Sequence, residues 1–304
     1  MYYIHTISSI THQNTFRTEN ICENLTKLTE ESELISPDYK EFIPPTSLRR
    51  LSPVLRIGLT TSIECKSKMG KDFDAISVGT ALGCLRDTEK FLNTIHTTTS
   101  DVLSPTAFIQ STHNTIGGQI SLGLKNHAYN MTHTQNSLSF EVAFLDGMMC
   151  IHEGKSNVLV GAADEKIGFL ENVQPQLIPN KHPLTSGASF FAISDEVSES
   201  RIGVRGVYVN FASERVSSEI SQFLSNKHLS IHDIDLVLHN GNESGVDFLG
   251  TPELNYLDYS GMHYSASAFA LHIAHDKLAQ SGNMALIIND LCPGNLGLML
   301  VEKR

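Results

Sequence analysis

Apolar residues along this chain alternate between short continuous runs and longer stretches with helical periodicity. The clearest unit lies between Met131 and Glu165 (MTHTQNSLSFEVAFLDGMMCIHEGKSNVLVGAADE). It reads as a short strand, a sharp turn at Gln135-Asn136, a helix from about Ser137 to Glu153, a stop at Gly154 and a strand from Asn157 to Ala163. Leu138, Phe140, Val142, Ala143, Phe144, Leu145, Met148, Met149 and Ile151 leave that helix without a polar face, which predicts burial all round. Ser137 is placed to cap its first turn, and Gly154 to end it in a left-handed conformation. The unbroken apolar run that follows predicts a strand covered on both faces. A buried helix that starts directly after a strand points its free N–H groups at one spot, where they can activate a nucleophile or hold an oxyanion.

The rest of the chain extends the alternation. Met1–Ser9 predicts a strand, 15–45 a loose connection with one short helix, Ser47–Ser67 a helix, Asp74–Thr80 a buried strand and Asp87–Thr97 a helix. Beyond Arg201 the pattern predicts strand 203–211, helix 214–225, strand 235–239, helix 264–280, Gly282, and strands 284–289 and 296–302. Segments 137–163 and 265–290 share one plan: a small-residue turn, an apolar helix, a glycine and an apolar strand. This divides the chain into an N-terminal half, 1–200, and a C-terminal half, 201–304.

Composition narrows the function classes. A net charge of −11 and a pI near 5.6 argue against nucleic acid as a partner, since phosphate binding requires a basic surface. No apolar run is long enough to span a bilayer, and the first residues lack the order of a signal peptide, so the expectation is a cytoplasmic protein without a membrane partner. Cysteines at 22, 65, 84, 150 and 292 are odd in number and scattered, which fits a reducing compartment. Cys84 and Cys150 read as buried structural thiols, and Asp164 and Glu165 as strand-end groups that satisfy backbone donors. His272 and His275, three apart on a helix without a third ligand in sequence, read as helix surface, so no metal is expected.

The turn at Ser137 resembles the nucleophile turn of the β-ketoacyl synthases, in the thiolase superfamily. In that family a cysteine opens the buried helix, and a glycine about eighteen residues on leads into a Val-Ala-Gly-Gly-Ala-Glu-like strand end. Gly154 and Val158-Leu-Val-Gly-Ala-Ala-Asp-Glu165 align with this without a gap. Further likeness lies in Asp74-Ala-Ile-Ser-Val-Gly-Thr80, in Pro105 and Asn114 before the turn, and in Ser186-Gly-Ala-Ser-Phe-Phe-Ala-Ile193. The resemblance covers most of the chain from about residue 45 and implies an α/β, thiolase-like fold: two pseudo-repeated βαβαβαββ halves in five layers, α-β-α-β-α. The chain is about a quarter shorter than a full synthase of that kind.

The resemblance also assigns site positions. Ser137 occupies the nucleophile position, where the family has cysteine. Asn240 occupies the first histidine position, with His239 one residue earlier and therefore on the opposite strand face. His263 occupies the second, while Asp258 stands where the family has lysine, and the loop Asn289–Gly297 lacks the family's gating phenylalanine. The resemblance thus implies a condensation-deficient, chain-length-factor-type partner of an active ketosynthase, which would dimerise with that synthase or with itself. It would meet acyl carrier protein, with acyl-carrier or acyl-coenzyme A thioesters as ligands and no bound cofactor. The wording Ser111-Thr-His-Asn-Thr115 and Thr132-His-Thr-Gln-Asn-Ser137 is similar to synthase-like proteins of aryl polyene or flexirubin-like pigment clusters. The alternative is a serine-dependent acyltransferase or hydrolase of the same thioesters, with His263 as base. The resemblance also implies that the strand 129–134, which leads to the nucleophile turn, lies at the dimer edge; it has no proline or lysine to blunt pairing.

Overall fold

A computed structural model describes residues 1–97, 103, 105–177, 182–242, 248 and 250–304, with no account of the side chains of 174–177. The first half contains β1 (Tyr2–Ile10), α1 (Pro45–Leu48), α2 (Pro53–Met69), β2 (Ala75–Gly79), α3 (Leu85–Thr97), α4 (Pro105–Gln110) and α5 (Thr115–Leu124). It continues with β3 (Tyr129–His133), α6 (Ser139–His152), β4 (Val158–Asp164), α7 (Gly168–Leu177) and β5 (Gly187–Ser194). The second half contains β6 (Ile202–Asn210), α8 (Val216–Ser225), β7 (Leu236–His239), β8 (Glu253–Asn255), α9 (Leu257–Ser260), α10 (Ser267–Gln280), β9 (Met284–Asn289) and β10 (Leu296–Lys303).

The strands run in the order β3-β2-β4-β5-β1-β6-β10-β9-β7-β8. Counted within each half, both read third, second, fourth, fifth, first, so the halves repeat one topology. They join through a short antiparallel contact, Tyr2 with Val204 and Tyr3 with Gly203.

The packing separates the layers. One apolar core surrounds α6 and α10 and takes Val158, Val160 and Ala162 from β4 together with Ala285, Ile287, Met299 and Val301 from the second half. A second core sits under α2 and α5 and takes the opposite face of the first half's strands, including Leu159, Ala163, Phe190 and Ala192. A third lies under α8 with Leu286, Ile288 and Leu298. Helices outside, sheet, helices inside, sheet, helices outside is the five-layer thiolase-like architecture, and β4 and β9 are buried on both faces because each sits between two helix layers.

Four expectations need correction. The helix expected over 47–67 is two, because Ser52 is extended ahead of Pro53, whose ring disfavours a helical residue before it. Residues 15–45 contribute single 3₁₀ turns at Ile21–Glu23 and Tyr39–Glu41. His272 is buried, not on a helix surface, with Nδ1 2.9 Å from Ser9 Oγ. Finally, α6 is not covered all round: Met149 is 62 % exposed, and Val142, Leu145 and Met148 are half-buried. That uncovered face adjoins β3, the outer strand of the sheet, where Tyr129 and Met131 are also exposed.

Candidate functional site

The chain leaves β3 and turns at Asn136, which holds a left-handed φ of 56°. Asparagine tolerates that conformation better than other residues with a Cβ. A 3₁₀ turn over Asn136–Leu138 then feeds α6. Strand β2 approaches closely enough that a Cβ at Gly79 would lie 2.5 Å from the Ser139 carbonyl oxygen, so this turn packs only against glycine.

Ser137 does not cap the helix. Its side chain makes no cap bond and is fully buried (0 % exposed), and its Oγ accepts a hydrogen bond from Asn295 Nδ2 at 3.1 Å. Its carbonyl accepts from Asn289 Nδ2 at 2.7 Å, and the same amide nitrogen donates to Glu141 Oε1 at 2.8 Å. Glu141, one turn into α6 and fully buried, has its carboxyl pushed up to about 7 by burial, against the opposing hydrogen bond of Asn289. Cys292 closes over the turn with Sγ 3.7 Å from Asn136 Oδ1. Burial raises its thiol, and hydrogen bonds from Ser137 oppose that shift.

Asn240 follows β7 and is buried, with Oδ1 accepting from the Asn242 N–H at 3.4 Å. Burial raises the neighbouring Asp290 carboxyl, and the Asn240 and Asn242 amides work against that rise. His239 faces the other way: its Nδ1 accepts the Gly241 N–H at 3.0 Å, and its Nε2 lies 3.8 Å from Glu253 on β8. The alternation of strand side chains leaves an amide, not an imidazole, facing inward.

His263 is buried, with Nδ1 3.0 Å from Thr185 Oγ1. The single Thr185 hydroxyl proton goes to the Ser260 carbonyl at 2.8 Å, so Nδ1 carries the proton and donates it to threonine. Burial, and secondarily the nearby His12, lowers this imidazole to about 3, so it is neutral throughout the physiological range. A Cβ at Gly187 would lie 2.9 Å from its ring, so glycine makes room for it. Asp258, in the family's lysine place, pairs with Lys27 Nζ at 2.7 Å and lies 3.6 Å from His182 Nδ1.

Asp164 behaves as expected of a strand-end acceptor. Its Oδ1 takes the Thr80 hydroxyl and the Ala81 N–H, both at 2.9 Å, and its Oδ2 takes the Ser265 N–H at 3.1 Å. Glu165 Oε1 accepts from the Arg86 N–H at 2.9 Å. Cys84 and Cys150 are buried free thiols raised by desolvation.

Ser137 and Asn240 therefore meet the same loop, residues 290–295, through Asn295, Cys292 and Asp290, whereas His263 belongs to the wall formed by Thr185 and Asp164. Among the described residues none of the three hydrogen-bonds another. Sequence reasoning did not anticipate Cys292, Asn295 or Glu141. The first two sit in a loop singled out only for the phenylalanine it lacks, and Glu141 is a charged residue hidden in an otherwise apolar helix. Among the described residues no cluster of three or more histidine, cysteine or acidic side chains could hold a metal, and no helix is long and apolar enough to cross a membrane.

Comparison with known proteins agrees with this fold. No curated protein matches the chain. Among solved structures, a chain of the AntDE:AntF assembly, a type II polyketide acyl-carrier protein in complex with its ketosynthase bound to the hexaketide, has a TM-score of 0.83 at 15 % identity, covering 100 % of this chain and 99 % of that one. The ishigamide ketosynthase/chain length factor gives 0.79 at 13 % identity, covering 99 % of each chain. A ketosynthase in complex with its chain length factor from Xenorhabdus doucetiae gives 0.63 at 15 % identity, with 99 % of each chain covered. At these identities the likeness establishes the fold. The family model for the β-ketoacyl synthase N-terminal domain matches residues 24–184, more than half of the 304 residues, and the chain belongs to the β-ketoacyl synthase family.

Proposed function

We propose that this protein is a condensation-deficient ketosynthase-like subunit that works as a chain-length-factor-type partner of an active, cysteine-containing ketosynthase in fatty acid- or polyketide-type biosynthesis. The observation that carries this reading is the state of the nucleophile turn. Ser137 is sealed beneath the 290–295 loop, its hydroxyl is engaged by Asn295, and an amide stands where condensation requires the first imidazole. A serine nucleophile needs a base within hydrogen-bond reach, and among the described residues His263 does not touch it. This disfavours the serine acyltransferase alternative.

The uncovered face supports association. Among the described residues outer strand β3 pairs with β2 and with no other strand, and it is flanked by exposed Met149 of α6 and Leu122 of α5. Such an edge is a template for another strand, and pairing through it would bury on the order of 2,000 Å² or more, in the obligate class. The Xenorhabdus assembly pairs a ketosynthase with its chain length factor, and the same kind of partner, with acyl carrier protein delivering the chain, is the one proposed for this face. An aryl polyene or flexirubin-like pigment pathway is the setting proposed from the sequence wording.

The test against the enzyme reading is incubation with an acyl-coenzyme A or acyl-carrier thioester, followed by intact-mass measurement. No Ser137 adduct is expected. An adduct that disappears in Ser137→Ala would overturn the proposal.

A further inference from the structure

An open cleft of about 560 Å³ lies at the end of the molecule away from the nucleophile turn. Strand β5 starts at Gly187, against His263, and ends at Ser194, whose hydroxyl meets His5 Nε2 on the cleft wall at 2.7 Å. The length of that strand, Gly187–Ser194, separates the two places by more than about 20 Å. The cleft volume falls within the range of small-molecule sites, roughly 300–1,000 Å³. Its walls come from within 5–7, 18–20, 68–71, 196–200 and 272–276, all of them described residues. An irregularity of β1 shapes it. Ile4 pairs with Ile193 and Thr6 with Ala192, so His5 is an extra residue that the bulge turns out of the ladder. Strand β1 meets β6 through Tyr2 and Tyr3, and beyond them the Ile7 carbonyl accepts from Lys68 Nζ at 3.3 Å.

The floor carries His272, which is 5 % exposed. Ser9 Oγ donates its single proton to Ser189 Oγ at 2.8 Å, so the 2.9 Å bond between Ser9 Oγ and His272 Nδ1 uses the imidazole's proton. Nε2 is therefore a bare acceptor, and among the described residues no protein donor meets it. Burial holds this imidazole down at about 4, so the lone pair stays open at neutral pH. Asp276 lies four residues on, on the same face of α10. Burial opposes its ionisation, but His275 and the Ile21 N–H hold its carboxyl below the ordinary range. His275 itself is occupied by Ser200 Oγ, 3.2 Å from Nε2. At the rim Glu19, Glu196 and Glu199 are exposed and make no salt bridge among the described residues. Against these carboxylates stand Lys71 and Lys68, the latter turned to the Ile7 carbonyl.

A wall rich in acceptors and negative charge is satisfied by a ligand that brings N–H groups and positive charge. The geometry points to a site for a short aliphatic polyamine, with one ammonium donating to His272 Nε2 and Asp276 at the floor. Its methylene stem lies along Ile7 and Met69, and its outer amino groups meet the glutamates of the rim. An anion would face four carboxylates and a lone pair with little to offset them. The site belongs to this chain alone and does not depend on whether the protein pairs with a synthase.

The test is calorimetric titration of the intact protein with spermidine at neutral pH and physiological salt, with succinate and zinc ion as separate probes. Spermidine should bind saturably at one site, and succinate should not. A fully N-methylated spermidine, which keeps the charge and loses every N–H, should bind at least about tenfold more weakly. Asp276→Asn, which keeps an acceptor for the Ile21 N–H and loses the charge, should weaken spermidine by a similar factor. Glu199→Gln should weaken it about twofold. Glu214→Gln, beside the Gly294 loop at the other end of the molecule, should leave binding unchanged, which separates a seated cation from ions condensed on a chain of net charge −11. Circular dichroism establishes folding, and if Asp276→Asn is unfolded, the methylated probe and the two exposed variants decide. No saturable binding of spermidine, tighter binding of succinate or zinc, equal binding of the methylated probe, or equal effects of Glu199→Gln and Glu214→Gln would overturn the inference.

Discussion

Replacing Glu141 with glutamine isolates the cost of a carboxyl hidden in the central helix layer. Glu141 is fully buried, and its side chain sits against Gly297, where a Cβ would come within 2.9 Å of its Cγ, so water has little access. Its carboxyl rises from 4.5 to about 7. The folded state therefore binds the proton more tightly than the unfolded chain. Glu141 is harmless to stability below about pH 4.5, increasingly costly as pH climbs from there to about 7, and costs a constant amount above that. At about 1.4 kcal/mol per unit, the penalty above neutrality is on the order of 3 kcal/mol. Glutamine keeps the shape, accepts from Asn289 and never ionises. Urea unfolding of parent and Glu141→Gln at about pH 5 and about pH 8.5 gives two stability differences, from which titration of every other group largely cancels. The variant should gain on the parent by ~2–3 kcal/mol between the two conditions, the gain accruing up to about pH 7 and levelling off above it. A change below about 0.5 kcal/mol, or one of opposite sign, would refute the burial argument.

Three other outcomes are expected. Met131→Pro should remove a ladder donor from β3 and break association, read as a fall in mass by light scattering at micromolar concentration. Ser137→Cys should not decarboxylate malonyl thioesters, because Asn240 still lacks an imidazole; carbon dioxide release by that single variant would show the histidine positions to be misassigned. Gly79→Ala should cost roughly 2–3 kcal/mol by thermal or chemical unfolding, since its methyl would meet the Ser139 carbonyl at 2.5 Å.

The architecture was legible wherever a segment is buried on both faces. Val158–Asp164 and Met284–Asn289 announce themselves as central strands because nothing polar interrupts them, and Gly154 adopts the positive φ expected of a helix stop. Two features were not legible. Helix α6 looks equally apolar around its circumference, so periodicity could not separate the face that meets the sheet from the one left open at Met149. The site depends on partners far apart in sequence: Asn295 reaches Ser137 and Cys292 reaches Asn136 across more than 150 residues, and no local pattern encodes such contacts. Likewise, Thr185 determines which nitrogen of His263 holds the proton, and that required the hydrogen-bond geometry.

Co-expression of this chain with an active, cysteine-containing ketosynthase, followed by purification on a tag carried by one partner and measurement of product chain length, tests the proposed role most directly. The expected result is a stable complex with a product length set by the presence of this subunit and unchanged by Ser137→Ala. Independent elution of the two proteins, with a product length indifferent to this chain, would contradict it.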